Sequence, residues 1–124
     1  MREIKFRAWH IGKKKMYTPV CVMFCPNELR EYRIFEASDR ELLGNDKHFH
    51  VMQFTGLKDA NGEDIYEGDI LVDDTEGLTY DFVEWSDEWA GWTTGNWYGS
   101  KELAENARHH EVVGNVYQNP ELLK

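Results

Sequence analysis

The side chains best placed to do chemistry are acids. Asp64, Glu67, Asp69, Asp73 and Asp74 crowd a short stretch of chain. A carboxylate pair can act as general acid and base, but only when a cleft holds one member protonated beside an ionised partner. Acids on hairpin turns usually stay solvated, and that is the expectation here. Asp59-Ala60-Asn61-Gly62-Glu63 has the look of a calcium loop. An EF-hand needs glycine at its sixth position and a bidentate glutamate at its twelfth. Here the glycine is fourth and the twelfth residue is Ile70, so the segment reads as a hairpin turn.

Imidazoles and thiols give weaker signals. His48 and His50 share one face of a strand, a spacing that can chelate a metal. Further ligands, such as His10, Cys21 or Cys25, could join only through folding, so no metal site is assigned. His109-His110 reads as a surface turn. Cys21 and Cys25 lie about 13 Å apart on an extended chain, beyond the Cα separation a disulfide tolerates. Their neighbours Val20, Val22, Met23 and Phe24 suggest apolar burial, where a thiol is inert. Two reduced cysteines fit a cytoplasmic setting. No cofactor signature is present.

Aromatics offer a different chemistry. Trp85, Trp89, Trp92 and Trp97 fall within thirteen residues. Indole platforms stack sugars or bases and anchor protein interfaces, and they also fill small cores. Two of the four are expected in the core and one or two partly exposed. The charge around them decides between partners. Net charge is −9, and residues 59–100 hold twelve acids and no Lys or Arg. Such a segment repels phosphate backbones. A protein partner, or self-association, is therefore favoured over direct nucleic-acid binding. Trp89, Trp92 and Trp97 with Asp73, Asp74 and Glu76 are the candidate contacts.

These residues need a scaffold, and 124 residues suffice for one domain with its own core, taken as residues 1–124. Ile4, Phe6 and Ala8 alternate with Lys5, Arg7 and Trp9 as a first strand. Gly12 to Lys15 turns the chain into a second strand over 16–24, closing an N-terminal hairpin, with Pro19 marking an edge. A short strand follows over 29–35. Ser38-Asp39-Arg40-Glu41 has the pattern of a capping box and predicts a short helix through Leu43. Strands are expected over 48–55, 70–72, 80–85 and 111–117, with a glycine-punctuated hairpin over 89–97 and a short helix from Ser100 to about Asn106. Turn signals at such intervals imply a small barrel or strongly bent sheets. The charged N-terminus does not resemble a signal peptide, and no apolar run approaches a membrane span.

Several segments together resemble one family. They are Arg2-Glu3-Ile4-Lys5-Phe6-Arg7-Ala8-Trp9, Gln53 through Asp59, Asn61-Gly62, Ile65 through Ile70, Val83-Glu84-Trp85 and Val113 through Leu122. The chain resembles the YopX family of phage and prophage proteins over nearly its whole length, residues 21–47 being the part without a match. The resemblance implies a phage or prophage origin, the cytoplasm of the host cell and a mostly β fold. It implies no activity and supplies no catalytic residues. Glu67-Gly68-Asp69-Ile70 is similar in shape to the turn-then-strand entry of SH3-like barrels.

The fold class expected is mainly β, bordering on α+β: a small SH3-like, barrel-like core with an N-terminal β-hairpin and one or two short helices. The function expected is that of a phage accessory protein, non-enzymatic, which binds a protein or itself. A metal-dependent hydrolase or nuclease using clustered carboxylates is the alternative of a different class, and an acidic mimic of nucleic acid is a third.

Overall fold

The computed structural model describes residues 3–19, 21–24, 31–37, 40–45, 48–74, 77–95 and 100–124. Among them the chain is mainly β with one short α-helix. It divides into two compact units, Lys5–Gln53 and Phe54–Lys124 with Met1–Ile4.

In the first unit, β1 (Phe6–His10) pairs antiparallel with β2 (Lys15–Tyr17), Ala8 facing Tyr17 and His10 facing Lys15. This is the N-terminal hairpin expected from the sequence. Its four-residue loop is built around a turn that Lys14 completes with a positive φ of 51°. The Lys13 amide donates to His10 Nδ1 at 2.9 Å, so the last strand residue caps the turn. The second strand does not run on to Phe24. β2 stops at Tyr17 and β3 (Cys21–Phe24) starts afresh, because Pro19 lies between them with a fixed φ and no N–H. The other flank of β1 pairs with residues 49–53 of β6 (Phe49–Lys58), Phe6 facing Gln53 and His10 facing Phe49. Ala8, Tyr17, Ile34 and Phe49 form the core, with Val22 and Val51 packed on it. The His10 ring meets Phe49 edge-on at 4.8 Å.

A separate antiparallel sheet has the order β3-β4-β5, with β4 over Glu31–Ala37 and β5 over Arg40–Asn45. The helix expected through Leu43 is therefore absent: residues 40–45 are a strand, paired with β4 from Ala37↔Arg40 to Glu31↔Asn45. The reason is visible at Glu41. A capping box needs this carboxylate to reach back to the helix start. Instead Glu41 accepts a bidentate bond from Arg33 across the sheet, at 2.8 and 3.4 Å. Ser38 and Asp39 lie outside the described residues. The hydrogen bond from Arg33, aided by its charge, outweighs slight desolvation and holds the Glu41 carboxyl below its ordinary value of 4.5. Cys21, expected to be buried, is exposed and free; Cys25 lies outside the described residues.

In the second unit an antiparallel sheet has the order β10-β9-β8-β11. Its strands are β8 (Asp69–Asp73), β9 (Thr79–Ser86), β10 (Gly91–Thr94) and β11 (Glu111–Asn115). β8 is central, and Ile70 and Leu71 are both wholly buried on its two faces. β7 (Asp64–Tyr66) pairs with β6 through Phe54↔Tyr66 and Lys58↔Asp64. The helix α1 (Ser100–Asn106) forms where the sequence places it and packs against β10. Leu103 and Ala107 join Ile65, Leu71 and Val83 in the core, with Leu57, Trp92 and Val112 packed against them. Burying each of the larger aliphatic side chains stabilises this unit by about 1.5–3 kcal/mol. The strand succession is compatible with the SH3-like core expected from the sequence.

Two glycines of this unit are required by geometry. Gly68 has φ +85°, and its amide donates to the Val83 carbonyl at 2.7 Å, turning the chain into β8. Gly114 sits at a bulge in β11. A Cβ there would fall against Asn119 Oδ1, with Cγ at 2.7 Å and Cβ at 2.9 Å. Only glycine leaves room for Asn119 Oδ1 to accept the Asn115 amide.

Candidate functional site

The acids were the first candidates, and the structure divides them into two groups. Asp59, Asp69 and Asp81 are buried at 4%, 1% and 4% exposure. Asp69, expected to be solvated, is therefore part of the core. Each carboxylate accepts at least one backbone N–H. Asp59 Oδ1 accepts from Asn61 and Glu63 at 2.8 and 2.9 Å, and Oδ2 accepts from Val112 at 3.0 Å. The turn read from Asp59 to Gly62 is thus tied to the first part of β11. Asp69 Oδ2 accepts from Tyr66, and Asp81 Oδ1 from Phe82. Buried charge survives only with such partners, and lone pairs spent on amides are not presented to a substrate. Among the described residues no group of three His, Cys, Asp or Glu side chains is placed to hold a metal ion. His48 is exposed and His50 half-buried. In the His109-His110 pair, His109 is exposed but His110 is buried, its carbonyl accepting the Ala60 amide.

The remaining candidates fall at opposite ends of β9. Asp73, half-buried, faces Thr79, whose Oγ1 donates to the Asp73 carbonyl at 3.4 Å; Asp74 is exposed. Trp85 lies six residues further along β9, about 20 Å away in an extended strand. Trp92 and Trp89 belong to that far end, where β9 turns into β10. Glu76 and Trp97 lie outside the described residues.

The β9–β10 hairpin builds its aromatic end as follows. Val83 and Thr94 face one another and are fully buried. One step on, Trp85 faces Trp92 on the same side of the sheet, since side chains two residues apart share a face. Trp92 is half-buried against the core cluster. Trp85 packs edge-on against it at 5.2 Å and 78°, yet remains 48% exposed. Its indole N–H donates to Asp87 Oδ1 at 3.1 Å. The strand pair thus runs past the end of the core, carrying its apolar face into water. Residues 87–90 close the hairpin, with Trp89 64% exposed. The Trp89 amide donates to Ser86 Oγ at 3.2 Å, and Ala90 completes the loop at φ 51°. This repeats the device of the N-terminal hairpin: a capping side chain at the strand end and a left-handed fourth residue. Asp87 and Glu88 are exposed in the same loop. Trp85 was visible in the aromatic run, but its exposure was not. Alternation with Val83 places it on the core side, and the reach of the core is set by β8 and α1.

The family profile described as YopX protein matches residues 5–124. The chain belongs to the YopX family. Two solved structures share the fold. Protein EF1440 from Enterococcus faecalis superposes with a TM-score of 0.74 at 24% identity, covering 100% of both chains. Protein yopX from Bacillus subtilis gives 0.57 at 21% identity, again over 100% of both. No curated protein matches the chain. In this YopX-family chain most of the segments that carry the resemblance are scaffold, and Val83-Glu84-Trp85 reaches into the aromatic hairpin end. The scaffold segments include the Asp59 hub, the Gly68 turn, the Gly114 bulge and Asn115, whose Oδ1 accepts from Tyr117 and Gln118. Among the described residues no helix is long and apolar enough to cross a membrane.

Proposed function

We propose that this chain is a non-enzymatic protein-binding module, a phage or prophage accessory protein working in the host cytoplasm. The observation that supports this reading most is the aromatic end of the β9–β10 hairpin. Large exposed indoles are costly to solubility and are typical anchors of protein interfaces. Trp85 is held in place from two sides, by Trp92 and by Asp87, so a partner would lose little side-chain entropy in ordering it. The buried acids favour the same reading over a hydrolase, since each accepts at least one backbone amide and serves the fold.

Paired affinity capture tests it, using the tagged protein and its Trp89→Ala variant in lysate of the source bacterium. Discrete proteins retained by the wild type and lost with the variant are expected. Identical captures by the two would refute an interface at the hairpin end.

A further inference from the structure

We infer that the occupant of the hairpin end is a cationic, arginine-bearing segment of a protein. This rests on the binding-module reading and adds the chemistry of the partner. Three observations carry it. First, two exposed indoles stand at this end of the hairpin, Trp85 on β9 at 48% and Trp89 in the loop at 64%. An indole face is the best aromatic seat for a cation. Second, Asp87 and Glu88 stand in the same loop and are exposed. A guanidinium can lie flat on an indole while its N–H fork bonds a carboxylate, which an ammonium cannot do. Third, residues 59–100 contain no Lys or Arg, so an incoming cation meets no like charge along this segment of the chain. Asp87 has two functions in the arrangement. It fixes the Trp85 ring through the indole N–H, and it sets a negative charge beside that ring.

The variants separate these contributions. Asp87→Asn keeps an acceptor for the indole and removes the charge. Glu88→Gln removes the second charge, and Trp89→Ala removes an exposed ring without opening the core. The probes are a short arginine-rich peptide, its lysine counterpart and its citrulline counterpart, followed by tryptophan fluorescence and by NMR of the indole N–H signals. The arginine peptide is expected to bind about threefold tighter than the lysine peptide, and the citrulline peptide not measurably. Trp89→Ala is expected to weaken arginine-peptide binding about fivefold, and Asp87→Asn with Glu88→Gln by roughly fivefold as well. Arginine-peptide binding that ignores Trp89→Ala would overturn the inference as mere charge attraction. Equal binding of the citrulline peptide would overturn it too. A captured protein that needs Trp89 but shows no preference for arginine would leave the binding-module reading standing and sink this one alone. Sedimentation of the protein by itself supplies the last arm. A dimer abolished by Trp89→Ala, without peptide binding, would put a second copy in this place and overturn the proposal.

Discussion

Replacing Asp59 should cost more than replacing any other acid in the acidic segment. Its two oxygens take three amide hydrogens, from Asn61, Glu63 and Val112, at 2.8–3.0 Å. Bonds to a charged acceptor are worth about 1.5–3 kcal/mol each, so a simple sum would reach roughly 4.5–9 kcal/mol. That sum is too large. Asn61 and Glu63 are exposed, and water can take over their amides once the carboxylate is gone. Val112 is half-buried and packed on the core, and its amide is the donor left stranded. A loss of about 3–4 kcal/mol is expected for Asp59→Ala, a large share of a typical domain's stability. Asp59→Asn keeps one oxygen for the turn but aims an NH₂ at the Val112 amide, so about 2 kcal/mol is expected. Urea unfolding followed by tryptophan fluorescence is the assay, because four of the five tryptophans lie beyond residue 84. Hydrogen exchange at Val112 should accelerate in parallel. An Asp59→Ala loss below about 1 kcal/mol, or an asparagine variant as damaged as the alanine one, would refute the hub.

Other expectations follow from the same geometry. Gly114→Ala forces its new methyl into Asn119 and should destabilise by about 1–3 kcal/mol in the same assay. Ala90→Gly relieves a left-handed alanine and should stabilise by about 0.5–1 kcal/mol, read from the urea midpoint. Trp92→Ala should lose about 2–4 kcal/mol, whereas Trp89→Ala should stay within about 0.5 kcal/mol, because only the first ring packs on the core. NMR titration should place the Glu41 midpoint below 4.5, and Arg33→Gln should raise it again. Because the folded value is depressed, this pair's small contribution is present above about pH 4.5 and fades as pH falls through the folded midpoint.

Local chemistry made much of this fold legible. The turn from Asp59 to Gly62, the strand Ile70-Leu71-Val72 with its buried Ile70 and Leu71, and the helix at Ser100 each follow from a few adjacent residues. The segment from Ser38 to Glu41 misleads for a physical reason. Its pattern satisfies a helix start, but a partner strand eight positions back offers Glu41 a guanidinium and residues 40–45 a full ladder. Tertiary pairing overrides local preference, and no short window contains it. The candidate site was half legible. The aromatic run and the missing cations point to the β9–β10 end, yet Asp73 and Asp74 were grouped with it by nearness in sequence. An extended β9 carries them to its other end. Burial of Asp69 was hidden for the same reason, since its amide partner at Tyr66 appears only once the turn closes.

The aromatic hairpin end, and not the carboxylates of the core, is proposed to meet the partner. A photo-crosslinking residue at position 89, compared with one at exposed Leu123, tests it in cells that express the protein. A discrete protein adduct at 89 with none at 123 is the predicted result. Adducts at 123 with none at 89 would contradict it.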